Sequence, residues 1–506
     1  MYSENMDWLK CKRYVHMDLP YGINEEGKVL SYVSNPQAVR SHAFLPLIRR
    51  VVKTYRFKTD CGKRVRKDVK KRCLTFASHL DAAIFGYYAN SLQKEYERKL
   101  RVLGLDDVVT AYRKIECVNR KGNKCNIDMA NEIFQYIKKN VTEENPLAII
   151  TFDIKGFFDN LDHKLLKNSW KEVLGVSSMS DDLFAVYKAT TQYSYVYENE
   201  VFKHFKDKII CRNKNLAIVS RKVKHIRYLH DKGAIAFCRK DDIKEIRESH
   251  LINMRAKKEK AGIPQGLPIS AVLANVYMLS FDNDAKQYIS LKEGVYRRYS
   301  DDIIVVCPLR YGKEVKVHIM ELIKNVKLEI EPKKTNLFCF EKCAGDIVAK
   351  HDIYGTNKKL EYLGFSFDGR RIMLKDASIG RFYGKMRRSV RYAIRSSSHI
   401  QNHTRGILFE NKLIYRYTYA GSLIRPLYTK SKKNGKFHRL KGVVKFGNYL
   451  TYVKKSANVT NSTIINKQLR HCTNILSKKI NMAKVAIQKN KIDKDVFQYL
   501  KYGRIY

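Results

Sequence analysis

Val295-Tyr296-Arg297-Arg298-Tyr299-Ser300-Asp301-Asp302-Ile303-Ile304-Val305-Val306-Cys307-Pro308 decides how this chain is read. Two apolar, β-branched or aromatic runs flank a short polar stretch that ends in adjacent carboxylates. Such runs read as strands, and Pro308 blocks continuation of the second. The pair Asp301-Asp302 therefore falls at the turn of a hairpin. Side chains alternate across a strand, so neighbouring acids do not share one buried face. Two carboxylates held at a tight turn repel each other. They become favourable together when a divalent cation sits between them.

The pattern on either side of the hairpin sets the fold class. Upstream, Leu147-Ala148-Ile149-Ile150-Thr151-Phe152-Asp153-Ile154 reads as a buried strand with one acid near its end. A helix over Lys164–Leu174 follows, stopped by Gly175. Gly262–Pro268 is a Gly/Pro-rich loop feeding a helix with apolar Ile269, Val272, Leu273, Val276 and Leu279. Downstream, Val315, Ile319, Leu322, Ile323 and Val326 mark an amphipathic helix, and Leu328–Glu331 reads as a short strand. Strand, helix, strand, strand, helix, strand over 147–331 is a split βαβ pattern: an α+β fold with an antiparallel sheet backed by helices on one face. Leu360–Phe367 and Arg371–Leu374 flank Asp368-Gly369, which reads as a two-residue hairpin turn.

Outside this block the pattern is plainer. Residues 51–72 are densely basic. From Leu80 to Leu103, Ile84, Tyr87, Tyr88, Leu92, Tyr96 and Leu100 recur at helical spacing. Residues 200–260 are basic and irregular, with short strand-like runs at Lys208–Cys211 and Leu216–Val219. From about 375 onward the chain reads as helical and basic.

At 506 residues the chain exceeds a single hydrophobic core, so two or more lobes are expected. Its 98 Lys and Arg against 50 Asp and Glu leave +48, distributed along the chain. Such an excess suits a protein holding a long polyanion, and the 33 tyrosines suit stacking on bases. An AT-rich genome, which inflates Lys, Asn, Ile and Tyr, is the plain alternative. The eleven cysteines follow no zinc spacing and read as reduced thiols, so a cytoplasmic location is expected. The N-terminus does not read as a signal peptide, and no apolar run is long enough to span a bilayer, so no membrane partner is expected.

Three acids then form one candidate site. If the strand ending at Asp153 lies beside the hairpin, Asp153, Asp301 and Asp302 converge on one sheet edge. With two Mg²⁺ ions such a cluster supports in-line phosphoryl transfer. Three unrelated surface acids are the alternative.

Phe152-Asp153-Ile154-Lys155-Gly156-Phe157-Phe158-Asp159-Asn160-Leu161-Asp162-His163 resembles the first catalytic motif of reverse transcriptases. Gly262-Ile263-Pro264-Gln265-Gly266-Leu267-Pro268-Ile269-Ser270 resembles their dNTP-binding loop, and Tyr299-Ser300-Asp301-Asp302 their Tyr-x-Asp-Asp box. Glu331-Pro332-Lys333-Lys334-Thr335 and Glu361-Tyr362-Leu363-Gly364-Phe365 resemble the two motifs that follow, in the same order. Together these span roughly residues 75–375.

The resemblance implies a right-hand polymerase: an N-terminal segment (1–50), fingers (51–146), a palm (147–375) carrying a basic fingers insertion at about 200–260, and a helical thumb with a basic helical C-terminal extension (376–506). It implies that Asp153, Asp301 and Asp302 and the Ile154 carbonyl hold two Mg²⁺ ions, with Mn²⁺ as a substitute. Phe158 falls at the steric-gate position that excludes a ribose 2′-hydroxyl; a core ring beside Phe157 is the alternative. Gln265 and Gly266 line the pocket under the incoming dNTP, the glycine letting backbone approach the ligand. Lys334 matches the lysine near the pyrophosphate, a general acid for the leaving group, with Lys333 adjacent as the alternative. Arg113 matches the residue gripping the triphosphate; a helix-surface arginine is the alternative. Tyr362–Phe365 matches the segment touching the primer, or is a core strand.

Among reverse transcriptases the chain most resembles the stand-alone, defence-associated bacterial group related to group II intron and retron enzymes. Ala77–Ala89, Ala111-Tyr112-Arg113 and Lys445–Val453 carry that likeness. It implies RNA-directed DNA synthesis on a partner noncoding RNA in antiphage defence, with a DNA product strand and a homo-oligomer among the partners. Untemplated or protein-primed synthesis, with a terminal tyrosine such as Tyr506 as primer, an intron-type maturase and a non-catalytic RNA-binding scaffold are the other readings. The residues Arg381, Lys385, Arg387, Arg388, Arg391 and Arg395 recur at helical spacing, as a face tracking a phosphate backbone does; a solvated charged face is the alternative.

Overall fold

The structure is a computed structural model and describes residues 8–9, 12–60, 62–213, 215–255, 259–397, 407–423, 425–430, 437–445 and 447–488. The terminal residues 499–506, considered above for a priming hydroxyl, lie outside the described residues. The chain forms two compact units, each drawn from several stretches. The first holds Met1–Arg113, Ile150–Cys307 and Tyr311–Thr335. The second holds Lys114–Ile149, Pro308–Arg310 and Asn336–Tyr506.

The expected α+β fold is present. In the first unit, residues 150–153 of the strand Leu147–Asp153 lie beside the strand Asp302–Pro308, which pairs antiparallel with Val295–Tyr299. Helices His163–Leu174, Ser270–Tyr277, Leu279–Leu291 and Gly312–Asn325 follow these strands in the expected order. Asp162 caps the first by accepting from the Leu165 N–H, and Gly175 ends it at φ +70°. The helix His79–Val102 starts at the Ser78 cap and buries Ile84, Tyr88, Leu92, Tyr96 and Leu100, the stripe its periodicity marks. The strand expected at Leu328–Glu331 is reduced to a single bridge, Ile154 to Ile330. The Glu331 N–H bonds the Asp153 carbonyl and the Lys155 N–H the Glu329 carbonyl across the same short crossing, and Pro332 then turns the chain away.

Two segments are more ordered than their sequence indicates. The basic stretch is most of an antiparallel hairpin, Leu47–Asp60 with Lys63–Phe76. Its base is buried at Leu47 and Ile48, while Val52, Tyr55, Val65 and Val69 are exposed. The basic insertion packs Phe202, Phe205, Ile209 and Phe237 around three short strands, in a cluster that also takes in Met17, Ile48 and Val196.

The second unit contains the helix Asn126–Asn140, the hairpin Asn336–Cys343 with Asp346–His351, and a three-stranded sheet Leu360–Tyr362, Phe365–Phe367, Ile372–Leu374. Its two-residue turn is Leu363-Gly364, at φ +45° and +94°, and not Asp368-Gly369. Asp368 instead opens a four-residue connection, its side chain accepting from the Arg370 and Arg371 N–H groups. The C-terminal part is helical, as expected, with one hairpin in addition, Arg425–Lys430 with Phe437–Lys445. Among the described residues no helix is long and apolar enough to cross a membrane, and nine cysteines are free thiols.

Candidate active site

The acid hairpin turns through Ser300, at φ +60°, and Asp301, with Tyr299 paired to Asp302. The Asp301 carbonyl accepts the Ile154 N–H at 3.0 Å. One hydrogen bond thus joins the end of the Asp153 strand to the tip that carries the acid pair. On its other side the Asp153 carbonyl accepts the Glu331 N–H at 2.8 Å, and the Lys155 N–H bonds to the Glu329 carbonyl at 2.8 Å. Asp153 therefore lies between the hairpin and the 329–331 crossing. Its side chain keeps 19% exposure; Asp301 is half-buried and Asp302 exposed.

A buried ionic network holds the turn from below, and the sequence reading missed it. Arg298 and Asp282 are both 0% exposed and pair through two bonds, Nε to Oδ1 at 2.7 Å and Nη2 to Oδ2 at 2.6 Å. Arg298 Nη1 also donates to Asn275 Oδ1 at 3.1 Å and to the Ser300 carbonyl at 3.2 Å. The Tyr296 hydroxyl donates to Asp282 Oδ1 at 2.7 Å. Burial, then Asp282, push the Tyr296 phenol well above its ordinary range. The signal was a charged residue two places from Tyr296, hence on its inward face.

The Gly262–Ser270 loop packs on the Phe157–His163 segment. The Ile263 N–H donates to the Phe158 carbonyl at 2.8 Å, and His163 Nε2 bonds the Gly262 carbonyl at 2.8 Å. Phe158 is half-buried, its ring edge-on to buried Phe157 at 5.5 Å. The Gln265 carbonyl accepts the Thr75 N–H at 2.9 Å, which ties the loop to the base of the long hairpin. Gly266, at φ +126°, is required because a Cβ there would overlap the Thr75 carbonyl. The chain's own backbone therefore already requires glycine at this position. Beside this loop a cleft of about 300 Å³ is lined by Arg49, Arg255, Tyr193 and Tyr195 together with Asp159 and Gly262. The Arg49 guanidinium lies 3.3 Å over the Tyr195 ring.

The two cations carried over by resemblance part ways. Lys334 Nζ meets Asp153 Oδ1 at 2.5 Å, so Lys334, and not Lys333, stands at the acids. Arg113 sits elsewhere, on a turn, with its side chain 4% exposed. Its Nε and Nη2 fork onto Glu97 at 3.0 and 2.6 Å, Nη2 reaches Asp106 Oδ1 at 3.1 Å, and Nη1 donates to the Asp106 and Val109 carbonyls. A guanidinium has five N–H groups, and here they are committed to the protein. Arg113 is a buried clamp. Its place is on a turn and not on a helix surface.

Carboxylates and a backbone carbonyl on abutting strand ends are the oxygen-only donors that a hard divalent cation takes. As placed, the Asp153 carboxylate faces Lys334. Among the described residues no three His, Cys, Asp or Glu side chains are gathered closely enough to hold a metal ion. The donor chemistry and the backbone link between Asp153 and Asp301 fit a divalent cation.

Residues 215–367 match the family described as reverse transcriptase (RNA-dependent DNA polymerase). Over this stretch, less than half of its length, the chain is similar to reverse-transcriptase domains. The match includes Gln265, Gly266, Asp301, Asp302 and Lys334 and begins after Asp153 and Phe158. No curated protein matches the chain. Among solved structures it is similar to a C-terminally truncated apo telomerase from Candida tropicalis, at 12% identity and TM-score 0.35, over 69% of this chain and 60% of that one. It is also similar to a telomerase from Candida albicans in complex with a fragment of telomeric RNA, at 13% identity and TM-score 0.36, over 75% of this chain and 58% of that one. The chain thus spans about 60% of the length of these two telomerase chains.

Proposed function

We propose that the chain is an RNA-directed DNA polymerase that copies a partner noncoding RNA into DNA in antiphage defence. The observation that carries the polymerase reading is the Ile154 N–H bond to the Asp301 carbonyl. It brings Asp153 to the Asp301-Asp302 turn in a chain whose residues 215–367 match the reverse-transcriptase family. Asp153, Asp301, Asp302 and the Ile154 carbonyl are the residues to hold two Mg²⁺ ions, with Mn²⁺ as a substitute. Bound there, the metal supplies activation of a 3′-hydroxyl and neutralisation of the triphosphate.

The chain's own residues do the rest. Phe158 presents a ring to the sugar and excludes a 2′-hydroxyl. Gln265 and Gly266 form the loop beneath the nucleotide, its backbone pinned by Thr75. Lys334, with three N–H donors at the acid cluster, delivers a proton to the departing pyrophosphate oxygen. With Arg113 committed to Glu97 and Asp106, and Arg255 to Glu259 and the Ala261 and Gly262 carbonyls, Arg49 supplies positive charge beside the loop. The net charge of +48 favours RNA template and DNA product over the rest of the surface.

The test is incorporation of dNTPs by the purified chain with its co-purifying RNA and Mg²⁺. Incorporation falls to background in Asp301→Ala/Asp302→Ala; equal activity in that variant overturns the reading. Sequencing the co-purifying RNA and the DNA product tests the template. A product unchanged after the RNA is digested away overturns templating and leaves the polymerase site standing.

A further inference from the structure

Among the described residues that hold a positive φ and are not glycine, Tyr112 is the bulkiest, at +63°. For a large side chain that conformation is an outlier, and such outliers gather at functional sites. Ser300, in the acid turn, is another, at +60°. The two meet side chain to side chain, the Tyr112 hydroxyl lying 3.1 Å from Ser300 Oγ. Two strained residues are thus bonded to each other one position before Asp301.

The backbone on either side of this bond is anchored. Ser300 is buried, and its carbonyl accepts from Arg298 Nη1 at 3.2 Å. Ala111 is buried, and its carbonyl accepts from Asn275 Nδ2 at 3.0 Å. The Thr110 N–H and hydroxyl both donate to the Arg298 carbonyl, at 3.0 and 3.1 Å. The Tyr112 side chain, by contrast, keeps 48% exposure. Core packing therefore does not account for the strain, because a half-open ring gains only part of its burial energy. The Asp153 strand runs along one side of the acid hairpin and Val108–Thr110 along the other. Phe158 continues from the first and Tyr112 from the second.

Strand extension needs two reactants at the acids, an incoming nucleotide and the 3′ end of a growing strand. In the polymerase reading, on which this inference rests, Phe158 and the Gln265 loop take the first. We propose that Tyr112 is a positioning residue for the second. Its ring packs on the terminal nucleotide of the growing strand, and its hydroxyl, through Ser300 Oγ, fixes the turn that carries Asp301 and Asp302. One side chain thereby ties the place of the strand end to the place of the acids. An aromatic face suits this task because every base offers it a π-face. Phenylalanine keeps the ring and loses the bond. Asparagine tolerates the positive φ and supplies no ring.

The test uses the full chain and two measurements that need no dNTP, so a lack of incorporation faults the polymerase reading and leaves these results readable. Mn²⁺ binding is followed by loss of the free-ion EPR signal. A DNA primer ending in 2-aminopurine, annealed to an RNA template, is titrated in EDTA with the fluorescence of its terminal base as readout. Tyr112→Phe and Ser300→Ala each weaken Mn²⁺ binding about fivefold, the worth of one hydrogen bond, and leave the primer titration unchanged. Combined, they weaken it no further than either alone, because both remove the same bond. Tyr112→Asn weakens Mn²⁺ binding to the same degree and the primer titration about tenfold, at an unchanged urea midpoint of tryptophan fluorescence. Unchanged Mn²⁺ affinity in Tyr112→Phe, additive losses in the double variant, or an unchanged primer titration in Tyr112→Asn overturns the proposal. A urea midpoint lowered alongside both affinities in Tyr112→Asn marks a merely structural tyrosine and likewise overturns it.

Discussion

Asp282→Ala is the sharpest test of how the acid turn is held. It leaves the Arg298 guanidinium fully buried, with two of its bonds gone and only Asn275 Oδ1 and the Ser300 carbonyl as acceptors. Breaking one side of such a pair costs about 3–5 kcal/mol, because the remaining charge stays desolvated. Removing both sides is milder. Asp282→Leu/Arg298→Met buries no charge and sacrifices the partners of Tyr296 and Asn275, at about 1–3 kcal/mol for each polar group left unsatisfied. The double variant is therefore more stable than the sum of the single losses by about 2 kcal/mol or more. The chain suits the measurement. Its two tryptophans, Trp8 and fully buried Trp170, both belong to the first unit, so their fluorescence reports that unit. With a urea slope of about 3 kcal/mol/M, Asp282→Ala moves the midpoint down by roughly 1 M or more. A shift worth less than about 1 kcal/mol, or a double variant as unstable as the two singles added, refutes the argument.

Three further outcomes are expected. Arg113→Leu strips the partner from Glu97 and lowers first-unit stability by about 2–4 kcal/mol, with the KM for dNTP little changed; a KM raised tenfold at unchanged stability returns Arg113 to the triphosphate. Phe158→Ala raises incorporation of ribonucleotides relative to deoxynucleotides by at least about tenfold, and an unchanged ratio removes Phe158 from the sugar. Burial pushes the fully buried His16 down from 6.5 to about 4, with the Asp18 carboxylate opposing and His79 reinforcing the shift. Between those values the unfolded chain takes up a proton that the folded chain does not, so stability falls as pH drops through this window, by about 3 kcal/mol in all. Tryptophan-monitored urea titrations at pH 7 and pH 4.5 show the fall; His16→Met flattens it, and an equal fall in that variant refutes the assignment.

What the sequence made legible was periodic or punctuated. The acid hairpin, the strand before Asp153 and the helices at 79–102 and 163–174 each combine a run of apolar residues with a cap or stop, and each lies within a residue or two of its expected place. The Leu47–Phe76 hairpin was hidden because charges occupy both of its faces above a short buried base. Period-two alternation exists only where one face is buried. The Asp368-Gly369 turn was misplaced because the preceding pair, Leu363-Gly364, holds a leucine at positive φ. Nothing in the residue types announces that. At the site, Asp153, Asp301 and Lys334 meet as the motif order implies, and Phe158 meets the Gln265 loop through backbone. Asn275 and Asp282 went unnoticed because pairing between helix and strand is set by packing and not by spacing.

Arg113 holds its own chain where the resemblance implies a grip on the triphosphate. The resemblance implies a phosphate contact for the Ala111-Tyr112-Arg113 segment, since arginine forks suit phosphate. In the structure the Asp106–Arg113 turn lies along the acid hairpin. The Arg298 N–H donates to the Val108 carbonyl, and the Thr110 N–H returns a bond to the Arg298 carbonyl at 3.0 Å. The Tyr112 hydroxyl meets Ser300 Oγ at 3.1 Å, and Asn275 Nδ2 holds the Ala111 carbonyl at 3.0 Å. Arg113 locks that turn by holding the Asp106 and Val109 carbonyls from within. Two buried guanidiniums therefore converge on one task. Arg298 fixes the Ser300 carbonyl directly, and Arg113 fixes the segment against which the Arg298 strand lies. A mobile turn would let Asp301 lose its bond to Ile154, and with it the placement of Asp153. Asp153, Asp301 and Asp302 are exposed or half-buried, so their position has to be set by groups that are not. The Ala111-Tyr112-Arg113 segment belongs to that setting.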